Sequence, residues 1–273
     1  MQNREAPYLV IMVLPAIVLG GAFFLLPLAR LAVVGATGPL GLGAYLSVLT
    51  TPRYFEALVS TVLLSVAVTF ITLVISGVTG VFLQRNRFAG RGVLVSLLTF
   101  PLAFPGVVVG FMVIMLAGRI GLIAEATQFL TGQRLVFAYS MAGLFLGYIY
   151  FSIPRVILTV MAAAEKLDPE LEEVAQSLGA RAWQVVRDVI LPGLKPAFIA
   201  SGSMCFATSM GAFGTAFTLA TDIDVLPIVI YTEFTLLANI TMAAALSIVL
   251  GVITWATLAM SRAFAGTTAA AAG

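Results

Sequence analysis

The chain consists of long uncharged apolar tracts separated by short polar stretches, and these tracts predict membrane-spanning helices. An α-helix rises about 1.5 Å per residue, so about 20 residues cross the roughly 30 Å hydrocarbon core of a bilayer. We therefore predict an all-α, polytopic membrane helix bundle with about six transmembrane helices. The six tracts are Tyr8–Ala29, Ala57–Gln84, Val93–Gly118, Leu135–Ala163, Ala197–Ala220 and Leu236–Ser261, and the fourth is the exception in containing one charge, Arg155 beside Pro154.

The positions of lysine and arginine predict the orientation of these helices. Ten basic residues fall on the side of the two termini and four on the other side. Because positively charged residues are retained in the cytoplasm, both termini are predicted to be cytoplasmic. The first tract is uncharged from Ala6 to Ala29, longer than the apolar region of a cleavable signal, and predicts a retained signal-anchor helix. Residues 1–265 are predicted to form one transmembrane domain, followed by a disordered tail of small residues at 266–273.

The composition excludes several classes of function. Hydrophobic residues make up 61% of the 273 positions and charged residues 10%, with a mean hydropathy of +1.10. The chain has no histidine and one cysteine, Cys205, which excludes histidine acid–base catalysis, disulfide frameworks and Cys/His metal sites. A net charge of +2 does not indicate a nucleic-acid partner. We predict no catalytic residue, no metal site, no cofactor in this chain and no enzyme activity of its own.

One polar segment, residues 165–196, differs from the other connections because it holds six of the twelve acidic residues. Its local chemistry predicts two short helices. Asp168 is a favourable N-cap with Pro169 at the first helical position, and Gly179 supplies the left-handed residue that ends the first helix. Leu191-Pro192 is predicted to stop the second helix, because proline lacks a donor and disfavours helix at the preceding residue.

Each of these two helices has an apolar side. The side chains concerned are Leu171, Val174, Ala175 and Leu178 in the first helix and Trp183, Val186, Val189 and Ile190 in the second. Helices that lie on a membrane surface are usually basic, whereas the first half of this segment is acidic. A protein partner with a groove is therefore the better explanation for the apolar side.

The same segment carries a spaced motif. Glu173-Val174-Ala175 is followed by three residues and Gly179, then by nine residues and Val189-Ile190-Leu191-Pro192. This motif resembles the cytoplasmic loop of permease subunits in bacterial binding-protein-dependent ABC importers, where the pattern is Glu-Ala-Ala, three residues, Gly, nine residues and Ile-x-Leu-Pro. Val174 and Val189 are mild departures that leave the spacing intact. With the six-helix layout, the resemblance covers nearly the whole chain.

The resemblance implies that the polar segment couples the permease to a separate ATPase. The residues implied in that coupling are Glu173, Ala175, Gly179, Trp183, Val189, Leu191 and Pro192. It also implies two copies of an ABC ATPase that bind ATP and Mg²⁺, a second identical or related permease subunit, an extracytoplasmic solute-binding protein, and a place in the bacterial inner membrane among its lipids. The chain itself lacks a phosphate-binding loop, because its two lysines, Lys166 and Lys195, are preceded by Glu165 and Leu194.

The substrate is indicated less directly. The third and fifth tracts look most similar to permeases of the polyamine (spermidine/putrescine) type, while related permeases for sulfate, molybdate, ferric iron and phosphonate share much of the pattern. Many relatives carry an acidic residue where this chain has Ala212. Asp222, Asp224 and Glu233, placed at the outer mouth, either attract a polycation or form an ordinary solvated acidic loop.

Four residues beside glycine or proline irregularities are candidates for the substrate pathway: Tyr150, Met210, Phe213 and Thr215. Helix packing explains a methionine and a phenylalanine there equally well. Arg155 is the one charge that adjoins the interior of a tract, and its side chain is expected to reach toward the membrane surface.

A channel or secondary transporter is the alternative from a different class. Such a protein is expected to carry an ionisable residue at mid-membrane or a pair of half-helices, and it would leave the acidic helix–glycine–helix segment without a role. An intramembrane enzyme would need paired aspartates, a serine–histidine couple or metal ligands at membrane depth, which the six tracts lack.

Overall fold

The structure of the protein, a computed structural model, describes residues 6–219 and 223–269, with side chains for residues 13–219 and 223–263. The described residues form α-helices joined by short connections, with no β-strand among them. The helices are α1 Ala6–Gly20, α2 Leu26–Ala36, α3 Gly43–Thr50, α4 Pro52–Arg85, α5 Arg91–Thr99, α6 Gly106–Ala117, α7 Leu122–Thr131, α8 Met141–Glu165, α9 Pro169–Ser177, α10 Ala182–Val185, α11 Leu191–Met210, α12 Phe213–Leu219, α13 Leu226–Tyr231 and α14 Ile240–Ala269.

Six helical stretches of the described chain are long and apolar enough to cross a membrane, which confirms the predicted fold class and number of spans. Their ends differ from those predicted, because apolar composition marks the interior of a span better than its ends. The stretches are Val13–Ala36, Pro52–Arg85, Gly106–Thr131, Met141–Glu165, Ala182–Met210 and Ile240–Ala263.

The predicted third span, Val93–Gly118, is wrong as a continuous helix. The chain leaves α5 through a 3₁₀ turn, Phe100–Ala103, and is extended at Phe104 and Pro105, with ψ of 135° and 150°. Proline disfavours the helical conformation of the residue before it, so Phe104 breaks the helix. Helix α6 then begins at Gly106, and α7 continues the apolar stretch to Thr131.

Three other predicted ends are corrected. The first helix continues past Ala29 to Ala36, and the fourth begins at Met141 rather than Leu135. Residues 135–140 are not helical, since Phe137 and Ala138 donate their N–H groups to the carbonyl of Ala117 at the end of α6, each at 3.1 Å. In the tail predicted to be disordered, α14 continues as far as Ala269, and residues 270–273 lie outside the described residues.

The chain forms two compact units. The first comprises the described residues up to Glu56 together with Val229–Val252, and the second comprises Ala57–Ile228 with the described residues from Ile253 onward. In the first unit, a π-helical turn at Gly21–Leu25 joins α1 to α2, and most large apolar side chains from Val13 to Val33 are exposed. Helix α3 is fastened to α2 by Tyr45, whose Oη donates to the carbonyl of Ala32 at 2.6 Å.

A buried carboxylate in the first unit corrects the prediction of an exposed acidic loop. Glu233 is 2% exposed, in a π-helical turn at Thr232–Leu236 that follows α13. Its carboxylate accepts hydrogen bonds from Tyr54 Oη at 2.9 Å and Asn239 Nδ2 at 3.1 Å, and lies 3.6 Å from the guanidinium of Arg53. These contacts stabilise the Glu233 carboxylate, because a buried charge without partners is unfavourable in an apolar environment. Of the other two acidic residues, Asp224 is exposed and Asp222 lies outside the described residues.

In the second unit, α6, α8, α11 and α12 pack around a shared apolar core that also takes side chains from α4. Val68, Leu144, Val160, Leu194 and Leu219 are each at most 1% exposed in this core. Two glycines allow the helices to approach α12 closely. A Cβ atom on Gly110 would lie 2.6 Å from Thr218 Cβ, and one on Gly147 would lie 2.8 Å from Thr215 Cγ2. Small residues at helix contacts are typical of membrane helix packing.

Candidate functional site: the polar segment and an adjoining cleft

The polar segment begins with a helix whose start was predicted from its sequence. Helix α9 starts at Pro169, and Asp168 Oδ1 accepts a hydrogen bond from the Glu170 N–H at 2.9 Å. This contact satisfies one of the unpaired donors at the helix start, and the carboxylates of the first turn complement its positive end. The predicted N-cap is confirmed.

Gly179 ends this helix with the left-handed conformation that was predicted. Its φ is +87°, and the Ala180 N–H donates back to the carbonyl of Ala175 at 3.0 Å. A Cβ atom at this position would meet no atom within 4 Å. Glycine is therefore favoured by the backbone conformation and not by lack of space.

The predicted stop at Leu191-Pro192 is wrong. Leu191 is helical, with φ −61° and ψ −46°, and its N–H donates to the carbonyl of Val186, five residues back. This bond belongs to a π-helical turn, Val186–Ile190, that joins α10 to α11. In the wider turn, backbone N–H groups bond to carbonyls five residues back instead of four. Proline has no N–H group to donate, and because the bonding pattern changes just before Pro192, the missing group does not end the helix. The second helix of the polar segment and the fifth span are consequently one helical stretch, Ala182–Met210.

The helix pair has an exposed face and a packed face. The exposed face comprises Leu171, Val174, Leu178 and Trp183, whose exposed fractions are 55%, 57%, 84% and 67%. On the other side, Val185 is 3% exposed and Ile190 is 9% exposed, and the half-buried Ala175 and Val189 pack against the core of the second unit. The packed face fixes the pair on the protein, while four apolar side chains stay uncovered, three in α9 and the turn after it and one, Trp183, at the start of the stretch Ala182–Met210.

Arg85 connects the polar segment to the end of α4. Its Nη1 and Nη2 atoms donate to the carbonyl of Leu167 at 3.4 and 3.3 Å, and Nη2 forms an ion pair with Glu172 Oε1 at 2.5 Å. The side chains of Arg85 and Glu172 are 22% and 19% exposed, so solvent screens the pair only partly. One guanidinium therefore holds both the connection before α9 and α9 itself.

A cleft of about 450 Å³ opens between α8, the end of α11, and the starts of α6 and α12. We call it the Arg155 cleft, because Arg155 is the one charged side chain among the described residues that line it. Two interrupted helices meet at this cleft: α6 begins beside it after Pro105, and α11 ends beside it at Gly211. In a membrane protein, interrupted helices of this kind are tolerated where the freed backbone is buried or lines a cavity.

Among the described residues, three of the five hydroxyl side chains that line the Arg155 cleft differ in their partners. Tyr148 Oη donates to the carbonyl of Ala212 at 2.6 Å, and Thr215 Oγ1 donates to the carbonyl of Gly106 at 2.9 Å, so both fasten interrupted backbone. Ser209 is 3% exposed, and its Oγ has no hydrogen-bond partner among the described residues.

The sequence was compared with known protein families. Residues 76–267 match the family described as the binding-protein-dependent transport system inner membrane component. The chain belongs to this family. The resemblance inferred from the motif at Glu173–Pro192 is thereby confirmed, and the protein is a multi-pass permease of the inner membrane.

Relatives of the permease are named for different transport systems. It is 35% identical over 203 residues to the sulfate transport system permease protein CysT of Salmonella typhimurium, covering 73% of this chain and 70% of that protein. It is 34% identical over 180 residues to the molybdenum transport system permease protein ModB of Escherichia coli, covering 64% and 76%. A putative 2-aminoethylphosphonate transport system permease protein, PhnU of Salmonella paratyphi A, is 29% identical over 262 residues, covering 92% and 91%.

Solved structures share the fold of the permease. A chain of a bacterial ABC transporter that imports the acidic polysaccharide alginate matches with a TM-score of 0.82 at 18% identity, covering 97% of this chain and 96% of that one. A chain of an alginate ABC transporter in complex with a pentasaccharide-bound periplasmic protein matches with a TM-score of 0.80, also at 18% identity, covering 95% and 94%.

The structure places the four predicted pathway residues of the permease in different surroundings. Thr215 lines the Arg155 cleft. Met210 is fully buried, and the ring of Phe213 lies 5.2 Å from that of Phe217. Tyr150 is 39% exposed on another side of α8, in an apolar cleft that also contains residues of α6.

Sequence reasoning missed two residues of the permease that the structure brings into these sites. Arg85 is one of the ten basic residues on the side of the termini, and no local pattern indicates its contact with Glu172, because the two positions are far apart in the sequence. Ser209 gave no signal, since a serine in an apolar helix usually bonds its own backbone, as Thr208 does to the carbonyl of Met204 at 2.9 Å.

Proposed function

We propose that this chain is the transmembrane subunit of an ATP-driven importer, that it forms half of a solute pathway, and that it couples to a separate ATPase through residues 165–192. The exposed face of the helix pair carries the proposal. Its four apolar side chains are each more than half exposed. Burying a side chain of this size is worth about 1.5–3 kcal/mol, so a partner groove that covers the face gains substantial binding free energy.

The charge of the helix pair favours a protein partner over the membrane surface. Helix α9 and its N-cap carry Asp168, Glu170, Glu172 and Glu173, and no lysine or arginine occurs from Leu167 to Ala180. Anionic lipid surfaces attract basic helices and repel acidic ones. A groove on the ATPase with a basic rim is the complementary surface.

Helical continuity gives the proposed coupling a physical route. The stretch from Ala182 to Met210 has 29 residues, which corresponds to roughly 43 Å at the rise of an α-helix. Its cytoplasmic end carries Trp183, and its far end lies at the Arg155 cleft. Movement of a docked ATPase is therefore transmitted along one helix to the interrupted backbone at Gly211, while Arg85 keeps α9 attached to the end of α4.

The remaining parts of the importer are proposed from the family. Two ATPase copies bind the ATP and Mg²⁺, a second permease subunit, either identical or related, completes the pathway, and an extracytoplasmic binding protein delivers the solute. Both termini are proposed to be cytoplasmic, which places the polar segment on the side of the ATPase. The family assignment favours this function over a channel or secondary transporter.

For the substrate, we propose a small oxyanion in preference to a polyamine. The relatives named above are permeases for sulfate, molybdenum and 2-aminoethylphosphonate systems. Arg155 is the one charge of the cleft, and Ala212 lines it where a carboxylate would favour a cation. Transport of a polyamine or of ferric iron stays an untested prediction.

Site-specific cross-linking tests the proposed docking. A photo-activatable residue replaces Leu178, which is 84% exposed on the helix pair, and, as a matched control, Leu130, which is 77% exposed on α7. In cells that also express a candidate ABC ATPase partner, position 178 is expected to form an ATPase adduct and position 130 is not. Adducts at position 178 that contain only lipid, or equal adducts at both positions, would contradict the proposal.

A further inference from the structure

The electrostatic character of the Arg155 cleft suits an anion. Arg155 is half-buried, and its guanidinium carbon lies 5.7 Å from the centre of the Phe151 ring, a cation–π contact that orients the side chain. Among the described residues that line the cleft there is no carboxylate. A positive charge in an apolar setting without an opposite charge nearby attracts anionic solutes, and ionisable groups at membrane depth commonly mark solute pathways.

Ser209 supplies a second, independent indication of a ligand. Neighbouring hydroxyls in α11 donate to the carbonyl four residues earlier, as Ser201 does to Ala197 at 2.7 Å. Ser209 lies in the wall of the cleft, is 3% exposed, and has an Oγ without a partner in the described part of the chain. A buried hydroxyl without a hydrogen bond is unfavourable, so a rotation of the Ser209 side chain that brings Oγ, which is closed to solvent in the structure, against a solute oxygen is stabilised.

The start of α6 adds backbone N–H groups, since the first N–H groups of a helix have no partner within it. Its first hydrogen bonds are donated by Val108 and Val109 to the carbonyl of Pro105, at 2.9 and 3.3 Å. The N–H groups of Gly106 and Val107 precede these bonds, and both residues line the cleft. Backbone N–H groups at a helix start, together with the helix dipole, favour negative charge.

We propose that the Arg155 cleft is a subsite for a small tetrahedral oxyanion on its route through the permease. Arg155 supplies the charge, and Ser209 with the first turn of α6 supplies hydrogen-bond donors. A site with one cation binds weakly enough to release its solute, as a transit site requires. The role of this subsite in import depends on the proposed function, whereas binding of the anion does not.

Chemical protection of Arg155 tests the subsite directly. Membranes that contain the full-length permease are treated with phenylglyoxal, which modifies arginine, and the modified fraction at Arg155 is measured by mass spectrometry. Arg134, which is exposed and donates to Gln128 Oε1 at 3.3 Å, is the control in the same sample. Sulfate, molybdate or 2-aminoethylphosphonate at millimolar concentration is expected to slow modification of Arg155 at least threefold and to leave Arg134 unchanged. Chloride and spermidine are expected to protect neither residue.

A variant of Ser209 tests the contribution of its hydroxyl separately from the charge of Arg155. In Ser209→Ala, the oxyanion concentration that protects Arg155 is expected to be about threefold higher than in the wild type. Without oxyanion, phenylglyoxal is expected to modify Arg155 at the wild-type rate. Equal modification of Arg155 with and without all three oxyanions overturns the proposal, as does equal protection of both arginines.

Transport measurements distinguish failure of the subsite from failure of the proposed function. In vesicles with the ATPase and the binding protein, Arg155→Gln is expected to reduce uptake of the protecting oxyanion at least tenfold, and Arg155→Lys less. Wild-type uptake by Arg155→Gln overturns the transit role. If the wild-type assembly shows no ATP-dependent uptake, the proposed function fails, and the protection measurement still decides whether the cleft binds an anion.

Discussion

At the scale of single residues, the conformation of Gly179 is the feature of the polar segment most directly open to mutation. A residue with a Cβ atom adopts a φ of +87° at a cost of about 1–3 kcal/mol, and a β-branched residue costs most. Because a Cβ atom would meet nothing within 4 Å, substitution here changes backbone strain without causing a clash.

We therefore expect Gly179→Val to reduce ATP-dependent uptake at least tenfold and Gly179→Asn to retain most of it, since asparagine tolerates the left-handed conformation. Uptake and binding-protein-stimulated ATP hydrolysis in vesicles are the measurements. Equal activity of the valine and asparagine variants would show that the turn at Gly179 does not contribute to coupling.

The contacts of Arg85 lead to a prediction that separates its two roles. Arg85→Glu places a carboxylate beside Glu172 and removes both bonds to the carbonyl of Leu167. The double variant with Glu172→Arg restores an ion pair but not those bonds. A partly exposed pair is worth up to about 1 kcal/mol, so we expect a loss of coupled hydrolysis of about fivefold in the single variant and partial recovery in the double variant.

Arg87→Gln is the control for this pair, because Arg87 is exposed in the connection after α4. It is expected to hydrolyse ATP at the wild-type rate. If the charge-reversed double variant hydrolysed ATP no faster than the single variant, the contribution of Arg85 to coupling would come from its bonds to the Leu167 carbonyl alone.

At the scale of secondary structure, the helix that passes through Pro192 is the main departure from expectation. Since helix continuity and not proline itself is important here, Pro192→Ala is expected to keep coupled uptake within about twofold of wild type, as alanine favours the helix. Replacing both Leu191 and Pro192 with glycine is expected to reduce uptake strongly, because each interior glycine costs about 1 kcal/mol and loosens the helix. Comparable uptake by the two variants would argue against transmission along this helix.

The features that were predicted correctly from the sequence depend on contacts between residues close together in the chain. Asp168 and Gly179 act on backbone groups within a few residues of themselves, so the N-cap and the turn were predictable. The continuity at Leu191 depends on a π-helical turn, and the break at Phe104 separates two apolar stretches that composition alone merges. The burial of Glu233 depends on Tyr54, far away in the sequence, and no local pattern signals that contact.

At the scale of the whole molecule, the orientation predicted from basic residues is tested by labelling single cysteines. Replacing Cys205 with alanine removes the one native thiol, which is buried. A cysteine at Ser177 is expected to react with an impermeant maleimide only after the cells are permeabilised, and a cysteine at Gln133 is expected to react in intact cells. Both positions are exposed in the structure, so a reversed pattern would place the polar segment outside the cell.

The candidate sites were predictable to different degrees at this scale. The helix pair was recognised because a spaced motif lies within one segment of the chain, from Glu173 to Pro192. The Arg155 cleft was not recognised, because its walls come from four helices and its key hydroxyl, Ser209, has no sequence context that separates it from ordinary helical serines.

The continuous helical stretch between the polar segment and the cleft has a consequence for the number of ATP molecules hydrolysed per solute transported. A flexible link would let the proposed ATPase partner close on ATP while the backbone at the cleft stayed in place. Helical hydrogen bonding continues from Ala182 to Met210 through the π-helical turn at Val186–Ile190. Under the proposed coupling each stroke therefore displaces the route, and ATP turnover and solute delivery are expected to keep a fixed ratio across temperature and substrate concentration.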